Sequence, residues 1–202
     1  MTYTVKRYTS YQDYLDAEDL SPEGNYRLLS TGEVIEVPLE NDINARIISA
    51  LFAALIKANG FSFAQYIRPG NKEIQVQPIG DQCVNRKPDL IVLRPEHLEQ
   101  ARQAITLGLS APLFIAEVVS PGGESSENYL RDYAWKRQQY EDWQIPEYWI
   151  IEPHRGQVMV LALKSGTYQE SLYTGERAIT STTFPNIQIT AHDLIAGHIE
   201  DD

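Results

Sequence analysis

The chain has 202 residues, a net charge of −11 and one cysteine, Cys83. This length predicts one domain with a substantial core, and the lone cysteine excludes an internal disulfide framework and a cysteine-rich zinc site. The acidic composition argues against simple electrostatic capture of nucleic acid, and the lack of a signal-peptide pattern or membrane-spanning apolar run leads us to expect a cytoplasmic protein.

The first part of the chain alternates helical and strand patterns. We predict, in order, a helix over 10–20, a hairpin over 26–37, a helix over 41–59 and strands over 61–67 and 72–77. Ser10 is a plausible N-cap of the first helix. The helix over 41–59 has the clearest pattern, because Ile43, Ile47, Leu51 and Leu55 recur every fourth residue and form one apolar stripe.

Three short apolar runs organise the segment from residue 86 to residue 153. They are rich in β-branched and aromatic residues, which predicts buried strands over 90–93, 113–119 and 147–151. We expect the connections between them to be helical crossovers, with helices over 95–107 and 126–143 and an open loop at 121–123. A hairpin over 157–173, a strand over 184–189 and a helical turn over 191–196 follow. This order predicts an α/β fold whose mixed sheet carries helices on its faces.

Acidic residues occur within two of these apolar runs. Asp89 opens the first predicted strand, and Glu117 lies inside the second, between Ala116 and Val118. A carboxylate in a buried strand costs free energy unless it is paired or binds a cation. Because ligands gather at strand ends in open α/β sheets, two carboxylates meeting there would suit Mg²⁺ or Mn²⁺, which prefer oxygen ligands.

A lysine and a tyrosine on the following predicted helix extend this constellation. Lys136 and Tyr140 are four residues apart, so both side chains share one helix face. A lysine beside metal-bound oxygens can orient a water molecule or stabilise negative charge on phosphorus.

Each of these residues also has a structural explanation. Asp89 after Pro88 is typical of a turn aspartate, and Lys136 by itself is typical of a solvated helix residue. Glu117 is explained equally well by a buried ion pair with Lys136 or Arg131. The residue types alone therefore leave a metal site and a structural ion pair both open.

Four motifs occur in a fixed order through the central segment. They are PDLIVL at 88–93, IAEVVSPG at 115–122, KxxxY at 136–140 and IPEYWIIEP at 145–153. This combination resembles the family of putative restriction endonucleases common in cyanobacteria, part of the PD-(D/E)xK nuclease superfamily. The resemblance implies a single restriction-endonuclease-like domain over residues 1–202, with its core at about 26–175. It also implies an α/β/α sandwich and a metal-dependent endonuclease that hydrolyses DNA phosphodiester bonds.

The resemblance assigns roles to individual residues of this chain. Asp89 and Glu117 match the motif acids, which implies that they bind Mg²⁺ or Mn²⁺ and, together with Lys136, are catalytic. The family's usual lysine two residues after the glutamate is absent, because Val119 stands there; Lys136 on the next helix is the matching cation. Tyr140 is expected to support the site.

A third metal ligand is expected before or on the first long helix. Glu36 matches it, with Glu33 and Asp42 as alternatives. Family members often carry a histidine near the start of that helix, where this chain has Asn44.

The expected partner is DNA, bound by a homodimer, because a duplex offers two strands to cut. Arg86, Lys87 and Arg131 flank the predicted site and are candidate nucleic-acid contacts. The alternative is a catalytically weak or inactive nuclease-like domain that acts as a binding or assembly module, which Val119, Asn44 and the acidic composition favour. A nuclease acting on RNA or branched DNA is a further reading.

Overall fold

The computed structural model describes residues 7–21, 24–37, 42–119 and 127–198. Its helices are α1 (Tyr11–Leu15), α2 (Asp42–Asn59), α3 (His97–Gln100), α4 (Glu127–Leu130), α5 (Lys136–Asp142) and α6 (Ala191–Ala196). Its first strands are β1 (Tyr26–Leu28), β2 (Val34–Glu36), β3 (Ile67–Pro69), β4 (Glu73–Gln75), β5 (Asn85–Arg86) and β6 (Leu90–Val92). The later strands are β7 (Ala104–Ile105), β8 (Phe114–Val118), β9 (Glu147–Glu152), β10 (Gln157–Lys164) and β11 (Thr167–Thr174). The predicted loop at 121–123 lies outside the described residues.

A six-stranded mixed sheet forms the centre of the fold, in the order β11-β10-β9-β8-β6-β3. Strands β8 and β9 are parallel, and the other neighbours in this sheet are antiparallel. Every residue of β6, β8 and β9 is buried, as expected for strands covered on both faces. Strands β1 and β2 pair separately, and β5, β4 and β7 form a small third sheet.

Helices cover both faces of the central sheet. The stripe of α2 that includes Ile47, Leu51 and Leu55 packs with one set of strand side chains, and α6 joins it there. The opposite face packs against Tyr140 of α5. The α/β/α sandwich with a mixed central sheet is therefore confirmed.

The alternation of side chains in β8 decides which groups face which helix. Ala116 and Val118 belong to the core under α2, whereas Ile115 belongs to the core under α5. Because successive strand residues point to opposite faces, Glu117 lies on the α5 side. Its hydrogen bond with Tyr140 agrees with this.

Two predicted elements take a different form. Residues 61–66 were predicted as a strand, but they form a 3₁₀-helix, Phe61–Tyr66, that follows α2 directly. Its tight turns pack Phe63 and Tyr66 against the core. The spacing of the apolar residues in this segment resembles the alternation of a strand. The predicted helix over 95–107 is reduced to α3, because Ala104 and Ile105 pair with β4 as strand β7.

Two connections also differ from prediction. Strands β6 and β8 are antiparallel, so the expected helical crossover between parallel strands occurs only between β8 and β9. Residues 184–189 were predicted as a strand but have irregular backbone. Phe184, Ile187 and Ile189 nevertheless bury their side chains in the core, so the apolar spacing reflected burial rather than pairing.

The helix predicted over 10–20 is shorter than expected, because α1 ends at Leu15 and residues 16–20 form turns and bends. The remaining predicted elements are confirmed. Ser10 caps α1 by accepting a hydrogen bond from the Asp13 amide, strands β1 and β2 form the first hairpin, and β10 and β11 form the second. Within the described residues, none of the helices combines the length and apolar character needed to cross a membrane.

Candidate active site

The two acids of the central motifs lie at the same end of neighbouring strands. Leu90 of β6 stands opposite Ala116 of β8, so the residue before β6 lies beside the end of β8. The Asp89 carboxylate accepts a hydrogen bond from the Val118 amide at 2.6 Å. The antiparallel register therefore brings Asp89 next to Glu117, although they are far apart in sequence.

Glu117 is held from the helix side by two polar groups. Its Oε2 lies 3.0 Å from Nζ of Lys136, and its Oε1 accepts a hydrogen bond of 2.8 Å from the Tyr140 hydroxyl. Glu117 is only 3% exposed. The shared helix face predicted for Lys136 and Tyr140 is thus the face that contacts Glu117.

Lys136 has a second acidic partner that sequence reasoning missed. Its Nζ lies 3.0 Å from Oδ1 of Asp132, one helical turn earlier. Asp132 in turn accepts hydrogen bonds of 3.1 Å from both Nε and Nη2 of Arg131. The i, i+4 spacing of Asp132 and Lys136 was the available signal.

The helix is locally underwound at this point. Residues Arg131–Trp135 form a π-helical turn between α4 and α5, and such turns are frequent at functional sites. The turn carries Asp132 and ends directly before Lys136, so it sets the positions of the two side chains that form the 3.0 Å ion pair.

Burial and charge oppose each other in this cluster. Burial raises the pKa of Glu117, and the nearby charge of Lys136 only partly offsets this, while Asp89 raises it further. Burial alone would lower the pKa of Lys136, but Asp132 and Glu117 hold it above its ordinary value. Burial would raise the pKa of Asp132, yet Lys136 and Arg131 keep it below its ordinary range. Lys136 therefore stays charged.

The donor set fits a divalent cation. When Asp89, Glu117 and Asp132 are ionised, three negative charges face the two positive charges of Lys136 and Arg131. A carboxylate offers about four lone-pair positions, so the hydrogen bonds to Glu117 leave room for coordination. Mg²⁺ is commonly held by one or two carboxylates together with water, which Asp89 and Glu117 can supply.

The three candidates for a further acidic ligand have different surroundings. Glu36 is exposed at the end of β2, and the described contacts do not join it to the Asp89–Glu117 cluster. Glu33 forms an ion pair with Arg7 at 2.6 Å. Asp42 opens α2 and is exposed.

Asn44 ties the start of α2 to the site. Its Nδ2 donates a hydrogen bond of 3.4 Å to the backbone oxygen of Val118, the residue after Glu117. Asp42 lies on the same helix, two residues before Asn44, and the described contacts do not join its carboxylate to the cluster.

The predicted nucleic-acid contacts separate into two kinds. Arg86 is 1% exposed and gives a bidentate ion pair to Asp81 at 2.8 and 2.9 Å, with Nε donating to Gln139 at 2.9 Å. Its guanidinium is thus buried and bonded to two side chains inside the protein. Lys87 is half-buried between β5 and Asp89, and Arg131 is partly exposed beside Asp132.

A second group of potential metal ligands lies at the surface. Nδ1 of His192 is 3.4 Å from Glu176 and 3.3 Å from Asp193, and the three ligand atoms are close enough to share an ion. Sequence spacing gave no sign of it, because Glu176 is brought near by the fold. Exposed His–carboxylate pairs are ordinary surface contacts, and this group is apart from the Asp89–Glu117 cluster.

Comparisons with known proteins give one family and one fold. Residues 11–192 match the family model of Uma2, described as putative restriction endonuclease. The crystal structure of a putative nuclease belonging to DUF820 from Anabaena variabilis ATCC 29413 is similar, with a TM-score of 0.62 and 15% identity. The similarity covers 92% of this chain and 97% of that chain; at this identity it shows the fold alone. No curated protein matches this chain.

Proposed function

The chain belongs to the Uma2 family of putative restriction endonucleases, and we propose that it is a metal-dependent endonuclease that hydrolyses DNA phosphodiester bonds. The observation that carries the proposal is the buried Glu117 carboxylate, which lies 3.0 Å from the Lys136 ammonium and beside Asp89 at one sheet end. A purely structural ion pair needs no second acid at that place.

The residues of the cluster take distinct roles in this proposal. Asp89 and Glu117 hold the divalent ion, Mg²⁺ or Mn²⁺, and the ion supplies the positive charge that neutralises the scissile phosphate and promotes deprotonation of water. Lys136 orients the attacking water or stabilises negative charge on phosphorus. Tyr140 fixes the Glu117 carboxylate through its 2.8 Å hydrogen bond.

Burial reduces the number of candidate nucleic-acid contacts. Lys87 and Arg131 remain our proposed phosphate contacts, because both flank the cluster and neither is fully buried. Arg86 is left out, since its guanidinium already bonds to Asp81 and Gln139. We propose Asp42 ahead of Glu36 as the third acid, because α2 contacts the site strand through Asn44.

Cleavage of labelled DNA with and without Mg²⁺ or Mn²⁺ tests this function. We expect Asp89→Ala and Glu117→Ala to abolish metal-dependent cleavage while circular dichroism and thermal unfolding show a folded protein. Glu36→Ala and Asp42→Ala are compared in the same assay, and only the true third ligand should reduce cleavage strongly. Wild-type rates in Asp89→Ala or Glu117→Ala would refute the assignment.

One observation favours the alternative, a nuclease-like binding or assembly module. Both oxygens of Glu117 already have partners in the protein, Lys136 and Tyr140, as in a closed structural network. In that case calorimetry would detect no binding of Mg²⁺ or Mn²⁺ at millimolar concentration, and Glu117→Gln would not change the result.

We also propose that the protein acts in the cytoplasm. We propose further that it forms a homodimer, because two sites are needed to cut both strands of a duplex. Sedimentation velocity at micromolar concentration would measure the oligomeric state directly.

A further inference from the structure

An open cleft borders the candidate active site on the side of α2. Its cavity volume is about 340 Å³, within the range of small-molecule binding pockets. One wall is a single stripe of α2, formed by Ala45, Ile48, Ser49 and Phe52. These residues recur at the spacing that places side chains on one helix face, so the wall is continuous.

The other wall of the cleft comes from the sheet side. It includes Pro69, Gly70 and Asp89. The Gly70 amide donates a hydrogen bond of 2.8 Å to the backbone oxygen of Asp89, which fixes this wall against the acid. Gly70 has a φ of +56°, and a Cβ there would meet no atom within 4 Å, so this wall leaves the space in front of it open.

The cleft is suited to a flat, mainly apolar ring. The side chains at Ala45 and Ser49 are small and exposed, and the Ser49 hydroxyl is engaged by the backbone oxygen of Ala45 at 2.8 Å. Phe52 is partly exposed and supplies an aromatic surface. Bases of single-stranded nucleic acid stack on such aromatic side chains.

Asp89 belongs both to the candidate active site and to the lining of the cleft. This double position indicates what binds in the cleft. If Asp89 binds the ion that contacts the scissile phosphate, the group nearest to that phosphate along a nucleic acid is the sugar and base of an adjoining nucleotide. Asp89 also lines the cleft. We propose, on the basis of the proposed nuclease function, that this cleft binds one unpaired nucleobase next to the phosphodiester bond that is cut.

This assignment narrows the substrate class. A base inside a continuous duplex is stacked and paired, and moving it into a pocket costs free energy that an unpaired base does not incur. Single-stranded, flapped or mismatched DNA is therefore the preferred substrate, and a continuous duplex is cut more slowly.

The test compares substrates and variants in one assay. The wild type is first used with Mg²⁺ to map the cut in a labelled single strand, and the same strand is annealed to its complement as the duplex substrate. An abasic nucleotide is then placed on either side of the mapped cut. Ser49→Leu fills the cleft, Phe52→Leu removes the aromatic surface, and Ala53→Leu, which lines a different cavity on the same helix, is the matched control.

We expect the wild type to cut the single strand at least about 10-fold faster than the duplex, and one of the two abasic substitutions to lower kcat/KM about 10-fold, as for the loss of base stacking. Ser49→Leu and Phe52→Leu lower kcat/KM on the intact strand by a similar factor but cause no further loss on the abasic strand. Ala53→Leu behaves as the wild type. Equal rates for Ser49→Leu, Phe52→Leu and wild type on the intact strand would overturn the inference.

Binding of the single strand in Ca²⁺, followed by fluorescence anisotropy, separates this inference from the proposed function. If Asp89→Ala loses cleavage while Ser49→Leu and Phe52→Leu cleave and bind normally, the nuclease assignment stands and the cleft assignment fails. If the wild type does not cleave but Ser49→Leu and Phe52→Leu bind the strand about 10-fold more weakly than it does, the cleft assignment stands and the nuclease assignment fails. Failure of the wild type both to bind and to cleave overturns both.

Discussion

Lys136 is the cation at the centre of the candidate active site. Its ammonium lies 3.0 Å from both Glu117 and Asp132, and it is 8% exposed. A cation so placed serves two purposes, since it offsets the burial of two carboxylates and presents positive charge at the strand end. A mutation of Lys136 can therefore change the stability of the fold and the rate of cleavage by different amounts.

Substitution of Lys136 should therefore affect rate more than a surface lysine or arginine would. Lys136→Met keeps the length of the side chain but removes its charge, and we expect kcat to fall about 10²–10³-fold, the usual loss for one electrostatic contact to the transition state. Arg137→Met is the matched control, because Arg137 pairs with Glu170 at the surface. Steady-state cleavage rates measure the difference between the two variants, and thermal unfolding checks that both are folded. Similar kcat values for both variants would argue against a catalytic role of Lys136.

Arg86 illustrates how burial changes the meaning of a charged residue. Its 1% exposure and its bidentate contact with Asp81 make it a structural ion pair. Removal of one partner of such a pair leaves the other charge buried and uncompensated.

Asp81→Ala is expected to reduce the free energy of unfolding by about 3 kcal/mol, because it leaves the Arg86 guanidinium without its acid. Glu33→Ala breaks the exposed pair with Arg7 and should cost less than about 1 kcal/mol. Urea denaturation at neutral pH measures both. Equal losses of unfolding free energy in the two variants would show that the buried Asp81–Arg86 pair contributes no more to stability than the exposed Glu33–Arg7 pair.

At the scale of elements, α1 docks on the small sheet through a partly buried acid. The hydroxyls of Tyr11 and Tyr14 donate hydrogen bonds of 2.6 and 3.1 Å to Glu73 of β4. Burial raises the pKa of Glu73, although the hydrogen bonds from Tyr11, Asn85 and Tyr14 oppose it. This helix is therefore attached by a carboxyl group that binds its proton more tightly in the folded state.

The attachment of α1 should weaken as the pH rises. A carboxyl whose pKa is raised on folding contributes stability below its ordinary value near 4.5, and this contribution is lost as the pH passes through the raised value. Glu73→Gln resembles the protonated form, so we expect the wild type to lose stability relative to this variant between pH 4.5 and neutrality. Urea denaturation across that range measures the difference; parallel curves would contradict the raised pKa.

The longest and most regular elements were the predictable ones. The apolar stripe of α2 and the buried runs of β8 and β9 were predicted to within one or two residues, because their patterns are periodic or continuous over the whole element. Strand β7 was missed, since two residues carry no pattern and their pairing with β4 depends on the fold. The 3₁₀-helix after α2 was missed because its apolar side chains happen to alternate.

At the scale of the whole molecule, the candidate site also contains features that the sequence predicted and features that it did not. Asp89, Glu117, Lys136 and Tyr140 were identified from acids in apolar runs and from the order of the motifs. The burial of Arg86 was not, because the run Arg86-Lys87 is typical of a surface, whereas Asp81 and Gln139, which contact the guanidinium, are distant from that run in pattern or in sequence. Contact between Asn44 and Val118 was equally invisible, since it joins elements distant in sequence.

The position of a bound ion tests the central claim most directly. A crystal grown with Mn²⁺ near neutral pH should show an anomalous peak with oxygens of both Asp89 and Glu117 at about 2.0–2.2 Å, the range for small hard cations. A peak only at Glu176, His192 and Asp193, or no peak while Lys136 still bridges Glu117 and Asp132, would contradict the account.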